Sequence, residues 1–189
     1  MSAAVPRLLL LTDRAQLRPG RALTRTVREC ADAGLAAVVV REHDLELRLR
    51  RALVAHLAEV DGLTVISSRL PDPSAMGVQL AAHQAAVPGW HGRSCHDVDD
   101  VRRAAAEGAR YATLSPYAAT ASKPGHGPPL DADAFARDDG IPVLALGGID
   151  PDNAHAAREA GAHGVAVMGA VMRARDPAGV VARLLEAVG

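Results

Sequence analysis

The sequence PVLALGGIDP at residues 142–151, which continues through Gly161 into VAVMGA at residues 165–170, decides the fold. It reads as strand, glycine turn, helix, strand and glycine turn within about thirty residues, the length of one βαβ unit. Asp150 is suited to cap the helix, Pro151 to occupy its first position, and Gly161 to end it in a left-handed conformation. The stretch therefore predicts two parallel strands joined by a helix.

Glycine turns follow both of these strands, at Gly147-Gly148 and at Met168-Gly169. Neighbouring parallel strands end at the same edge of a sheet, so the backbone N–H groups of the two turns should converge, and converging amides favour an anion such as phosphate. One Gly-Gly pair alone would indicate only a tight turn. Two such turns at consecutive strand ends favour a phosphate site, which barrels often place after strands seven and eight.

The same order of elements recurs along the chain. Ala33-Gly34, Glu107-Gly108 and Ala160-Gly161 each end a helical pattern and precede an apolar run. Strands are predicted at residues 7–12, 35–40, 63–66, 77–80, 90–94, 110–114, 142–146 and 165–168. Eight strands alternating with helices predict a single α/β domain over residues 1–189, a small (β/α)8 TIM barrel. The alternative, a doubly wound open sheet, lacks a glycine-rich dinucleotide turn after the first strand.

Leucines recur every fourth residue from Leu45 to Leu57, through Leu49, and predict the inner face of an amphipathic helix. The arginines between them, including Arg50, should then face solvent. Residues 131–137 predict a further, short helix.

Composition excludes several classes of function. The net charge of −1 offers no field for nucleic acid or an anionic membrane, and aromatic residues at 2% leave little for stacking on bases. The apolar run Leu8 to Leu11 is too short for a membrane span or a signal-peptide core. Cys30 and Cys95 show neither metal-binding spacing nor a disulfide framework. We therefore expect a cytoplasmic protein with a small-molecule partner; a homo-oligomer remains open.

Polar side chains at predicted strand ends are the candidates for chemistry, because a barrel places its site there. Arg41 follows an apolar strand and suits either anion recognition or a structural salt bridge with Glu42 or Asp13. His43 is a candidate for proton transfer, although a lone loop histidine is often only solvated. The 115–129 loop carries a cation and hydroxyls, Lys123 with Thr120 and Ser122, and a long loop in a compact barrel is usually functional.

Carboxylates are missing from the strand ends where a Mg²⁺ site that handles pyrophosphate would need them. The third strand ends in Ser67-Ser68 and the fourth contains Gln79. Asp44 and Asp72 are the nearest substitutes. The sequence therefore predicts no metal site.

Taken together, the motifs resemble the thiamine phosphate synthase/TenI family of phosphate-binding barrels. No single motif is decisive, but their order and spacing agree over nearly the whole chain. The matching segments are Leu11 to Arg14, Arg41-Glu42, Gly92 to His96, Ser115-Pro116 with Thr120 to Lys123, Gly147 to Ile149, and Val165 to Met168.

The resemblance implies that the turns at Gly147-Gly148 and Met168-Gly169 hold the phosphate of a thiazole phosphate, and that the loop from Thr120 to Lys123 closes over it. In the synthases, the segment matching residues 39–44 supplies a glutamine, an arginine and a lysine for a pyrimidine diphosphate. Here the arginine remains as Arg41, whereas valine and histidine replace the other two.

Two departures bear on the activity that the resemblance implies. Synthases carry Asn-Asp at the position of Ser67-Ser68, and carboxylates there hold Mg²⁺. The TenI branch, which resembles a thiazole tautomerase, also lacks them and keeps residues like Gln79 and Ser94, the predicted substrate contacts. Its catalytic histidine, however, lies where this chain has Pro116.

Three hypotheses follow. The favoured one is a TenI-like, tautomerase-type enzyme without a cofactor, in which His43 moves a proton and Arg41 and Lys123 steady negative charge. The second is a thiamine phosphate synthase that recruits Mg²⁺ through Asp44 or Asp72. The third is a non-catalytic, regulatory thiazole-phosphate binder.

Overall fold

Eight parallel strands close into a barrel in the computed structural model, which describes residues 4–119 and 128–189. The closing pair joins the first and last strands, with Leu9 opposite Ala166. The strands are β1 Leu8–Leu11, β2 Ala37–Val40, β3 Thr64–Ser68, β4 Gly77–Leu80, β5 His91–Cys95, β6 Tyr111–Leu114, β7 Val143–Leu146 and β8 Gly164–Val167. The predicted TIM barrel is confirmed, and the open sheet is wrong.

Helices surround most of this barrel. They are α1 Leu23–Asp32, α2 Leu47–Ala58, α3 Val98–Ala106, α4 Ala154–Glu159, α5 Gly169–Met172 and α6 Pro177–Val188. Short 3₁₀ turns lie at Arg14–Gln16 and Ala132–Ala134. The connections on either side of β4 contain no helix. Within the described residues, no helix is both long and apolar enough to cross a membrane.

Alternation along the strands separates two apolar clusters. The smaller contains strand residues such as Leu9, Val39, Ile66 and Leu144 without any helix residue, so it fills the barrel interior. The larger joins the opposite strand faces to α1, α2, α3, α4 and α6. Both strand faces are therefore buried, which explains the continuous apolar runs in the sequence.

The helix after the Gly147-Gly148 turn begins later than predicted. Asp150 does not cap it, because its carboxylate accepts hydrogen bonds from the N–H groups of Asp152 at 2.9 Å and Asn153 at 3.2 Å. Pro151 lies in that turn, and α4 starts at Ala154. Gly161 ends α4 with φ +103°, as predicted. The predicted 131–137 helix is also shorter, a single 3₁₀ turn that places Phe135 against Tyr117.

The predicted orientation of α2 is wrong. Leu49 is 46% exposed, whereas Arg50 is only 9% exposed and Leu57 is fully buried. The buried face of this helix therefore runs through residues 50, 54 and 57 rather than along the four-residue leucine repeat. Burial of Arg50 brings a cation to the inner side of the helix, close to the mouth of the barrel.

Candidate active site

A cavity of about 370 Å³ lies at the carboxyl ends of the strands. All eight strands or the residues directly after them contribute to its wall. Its polar lining residues are Arg41, His43, Ser68, Arg69, Gln79, His83, Ser94, His96, Ser115 and Arg173. None of the described residues that line it is an aspartate or glutamate. The wall is therefore suited to a ligand that carries negative charge.

The two glycine turns meet on one side of this cavity. Gly147 and Gly148 follow β7, and Met168 and Gly169 follow the neighbouring β8. The first turn is held from behind, where Tyr117 N–H donates to Leu146 and Ala118 N–H donates to the Gly147 carbonyl, both at 2.9 Å.

The N–H groups of these turns have few possible acceptors among residues 4–119 and 128–189. Within the described part of the chain, those of Gly147, Gly148 and Gly169 donate to no protein acceptor. Three amides at the edge of a cationic cavity form a candidate anion site.

Close packing explains why glycine stands in the first turn. Gly148 has φ +66°, and an added Cβ would lie 2.6 Å from the Ala119 carbonyl oxygen. Gly147 has φ +97°, and its Cβ would lie 3.2 Å from Cα of Pro116. A side chain at either position would strain the turn and push its amides out of place.

Arg41 reaches across the mouth of the barrel from β2 towards the second glycine turn. Its guanidinium Nη1 contacts the sulfur of Met168 at 2.9 Å, and its backbone N–H donates to the Thr12 hydroxyl at 3.0 Å. The alternative of a salt bridge with Glu42 or Asp13 is wrong, because Glu42 pairs with Arg14 at 3.0 Å and Asp13 caps a turn. A thioether is a weak acceptor, so the guanidinium keeps donors for a ligand.

His43 lies beside β3, on the wall opposite the glycine turn that follows β7. Its Nε2 lies 2.9 Å from the hydroxyl oxygen of Ser68. Burial first, and then the charges of Arg69, Arg41 and Arg50, lower the pKa of His43 to about 4, with Asp44 opposing. The imidazole is therefore neutral near pH 7, and either ring nitrogen can act as the acceptor, depending on the tautomer.

Gln79 and Ser94 form a buried polar floor. Nε2 of Gln79 donates to the hydroxyls of Ser94 at 3.1 Å and Thr113 at 3.3 Å. Its Oε1 is buried and has no partner among the described residues. An unpaired amide oxygen beneath a cavity is available to a donor on a ligand.

Two cations of the wall had no assigned function in the sequence. Arg69 follows β3 directly, and it adopts φ +66°, outside the range usual for a non-glycine residue. Arg173 follows α5, and its guanidinium lies where a Cβ on Gly169 would fall. Residues 69 and 173 are 104 positions apart in the sequence, so only the fold places both of them at this pocket.

The residues proposed to recruit Mg²⁺ do not fit a metal ion. Asp44 is bound by both terminal nitrogens of Arg14, at 2.6 and 2.7 Å, and this contact lowers the pKa of its carboxyl. Asp72 accepts the Ser74 N–H at 2.9 Å within its own turn. Across residues 4–119 and 128–189, no group of three His, Cys, Asp or Glu side chains could hold a metal.

Two further sequence predictions concern residues around the pocket. Cys95 is a free, buried cysteine, in agreement with the absence of a disulfide framework, and burial raises the pKa of its thiol to about 12. Thr120, Ser122 and Lys123 lie outside the described residues.

A closed eight-stranded barrel with a cationic pocket at the carboxyl ends of its strands defines the class, a (β/α)8 barrel of the kind that binds phosphorylated small molecules. Within that class the chain belongs to the thiamine phosphate synthase/TenI family: the family described as thiamine monophosphate synthase matches residues 73–171.

Individual relatives agree with this assignment. Thiamine-phosphate synthase of Moorella thermoacetica is 32% identical, over 92% of this chain and 91% of the relative. The enzyme of the same name from Salinispora tropica is 30% identical, over 98% and 99%. The structure of thiamine phosphate pyrophosphorylase from Pyrococcus furiosus superposes with a TM-score of 0.84 at 24% identity, covering 96% of this chain and 95% of that one, which supports the fold.

The predicted family is thus confirmed. The names of these relatives agree with the synthase alternative better than with the tautomerase-type activity favoured from the sequence.

Proposed function

We propose that this chain is a thiamine phosphate synthase, which joins a thiazole phosphate to a pyrimidine diphosphate. The observation that carries the proposal is the two-sided pocket, with unused amides after β7 and β8 and cationic side chains after β2 and β3. Strands β3 and β7 are opposite each other in an eight-stranded barrel, so one cavity has room for an anion on each side. A reaction between two phosphorylated substrates needs two separate anion sites of this kind.

On this proposal, Gly147, Gly148 and Gly169 bind the phosphate of the thiazole and orient its ring towards the centre of the cavity. The ring nitrogen attacks the methylene carbon of the pyrimidine diphosphate. A C–N bond forms as the C–O bond breaks, and pyrophosphate leaves with the electron pair. Arg41 and Arg69 neutralise the charge that develops on the leaving group. Lys123 of the 115–129 loop, with Thr120 and Ser122, is proposed to contact the same ligands.

The test supplies both substrates to the purified chain, with and without added Mg²⁺. We expect thiamine phosphate and pyrophosphate to appear in equal amounts over many turnovers. The first product is measured by oxidation to its fluorescent derivative, and the second by a coupled phosphate assay. Absence of thiamine phosphate under both conditions, with an intact fold, would overturn the proposal.

A second candidate function is proton transfer on a thiazole phosphate by His43. The observation in its favour is the neutral imidazole bonded to Ser68 at the pocket wall. General acid–base catalysis of this kind contributes roughly a hundredfold to ten-thousandfold in rate, but a base with a pKa near 4 falls short of the optimum near the working pH. Deuterium uptake by the thiazole phosphate, lost in His43→Ala, would support it. Equal uptake in both proteins would exclude His43 as the base.

A non-catalytic binder is the remaining hypothesis. It predicts tight binding of thiazole phosphate with neither thiamine phosphate formation nor deuterium uptake. The two assays above therefore separate all three hypotheses.

A further inference from the structure

We propose that this chain binds the diphosphate of its second substrate with an arginine cluster, in which Arg41 and Arg69 lie at the pocket wall and Arg50 lies behind them, in place of a carboxylate-held divalent cation. The inference rests on the proposed function, since it concerns the second anionic subsite. It starts from a disagreement: the family resemblance implies Mg²⁺, and the described residues offer no set of ligands for it.

Arg69 is the first member of the cluster. It is the one non-glycine residue with positive φ in residues 4–119 and 128–189, at +66°. Its backbone is fixed in this conformation, because its N–H donates to the Gln79 carbonyl at 2.8 Å and its carbonyl accepts from Gln84 at 3.0 Å. Arg69 lines the pocket directly after Ser68, and its charge contributes to lowering the pKa of His43. Backbone strain of this kind persists where the surroundings impose it, and it concentrates at functional sites.

Arg50 is the second member and lies behind the wall. It is 91% buried (100 − 9) in the first turn of α2. No carboxylate lies within ion-pair distance of it in the part of the chain that the structure describes. A buried cation without a counter-ion is costly unless a ligand supplies the negative charge.

Arg41 completes the cluster from β2, and Arg41, His43 and Arg69 all line the same pocket. All three guanidinium groups act on His43, since each contributes to lowering its pKa. The nearby carboxylates offset these charges only in part, because Glu42 and Asp44 both pair with Arg14 outside the pocket lining. The cluster thus concentrates positive charge around one point of the wall. The planar guanidinium fork of arginine also matches the geometry of phosphate oxygens. The arginines can therefore make the contacts to the diphosphate that a metal ion would otherwise make.

The experiment titrates inorganic pyrophosphate into the full chain by calorimetry, in chelator and then in Mg²⁺. We expect binding in chelator with a Kd that Mg²⁺ does not tighten. Arg69→Gly removes the guanidinium and relieves the positive-φ strain, so it should weaken binding about tenfold or more while the melting temperature stays equal or rises. Arg69→Ala should weaken binding equally. Arg48→Ala, at an exposed position of α2, is the matched control and should stay within about twofold.

Two results would overturn the inference. One is pyrophosphate binding that requires Mg²⁺; the other is unchanged binding in both Arg69 variants. Saturation with thiazole phosphate before the titration keeps pyrophosphate off the glycine turns. Failure of the proposed function looks different, because pyrophosphate would then bind without metal while no thiamine phosphate forms from the two substrates.

Discussion

The two walls of the pocket offer different groups to an anion. The wall after β7 and β8 uses backbone N–H groups, with Tyr117 and Ala118 fixing the first turn from behind. The wall after β2 and β3 uses side chains, with Arg41 and Arg69 bearing the charge and His43 and Ser68 between them. The first wall depends on the absence of side chains, and the second on their presence.

This difference decides how each wall should respond to substitution. In the backbone wall any added carbon displaces several donors together, because the turn moves as a unit. In the side-chain wall each guanidinium contributes separately, so a single substitution removes part of the binding. The largest effects are therefore expected in the wall that offers its backbone amides.

Gly148→Ala should have the largest effect. The new Cβ would lie 2.6 Å from the Ala119 carbonyl oxygen and 2.8 Å from the Ala118 carbonyl carbon, so the turn must shift. Loss of two or more amide contacts to a phosphate should weaken thiazole-phosphate binding about a hundredfold. Calorimetry with thiazole phosphate measures this change, and circular dichroism confirms the fold.

Gly140→Ala is the matched control for that substitution. Gly140 has a similar backbone, φ +83°, but no atom lies within 4 Å of an added Cβ. Both variants should lose about 1 kcal/mol or more in free energy of unfolding from the left-handed conformation alone. Only Gly148→Ala should lose the ligand. Equal affinities in the two variants would show that the β7 turn does not bind the phosphate.

Arg41→Ala should have an intermediate effect on both ligands, because this residue belongs to one wall and touches Met168 of the other. Loss of one charge-assisted contact should lower the affinity for thiazole phosphate and for pyrophosphate by about tenfold each. Arg41→Lys keeps the charge and loses the fork, so it should recover affinity only in part. A loss restricted to pyrophosphate would place Arg41 on the side-chain wall alone.

The sequence predicted the backbone wall far better than the side-chain wall. Glycine turns are local signals, so Gly147, Gly148 and Gly169 could be read from the chain directly. The burial of Arg50 could not, because it depends on how α2 rotates against the barrel, and the leucine repeat indicated the opposite face. Arg69 lines the pocket in a positive-φ conformation because Gln79 and Gln84, ten and fifteen residues further along the chain, hold its backbone. Such long-range contacts leave no local pattern.

The smallest predicted effect concerns the pH dependence of stability through His43. Its pKa is about 4 in the folded protein and about 6.5 when unfolded, so between these values only the unfolded chain gains the proton. The free energy of unfolding should thus fall as the pH drops below about 6.5, by about 1 kcal/mol at about pH 5 after allowing for solvent screening. Denaturant titrations should show the gap between wild type and His43→Gln changing in the mutant's favour over this range, whereas His155→Gln, at an exposed position of α4, should follow the wild type. Added pyrophosphate should reduce the fall, since an anion on the arginine cluster favours the imidazolium. Parallel curves for wild type and His43→Gln would mean that neither burial nor the arginines lower the pKa of this histidine, and the side-chain wall would lose one of the two observations that indicate concentrated charge.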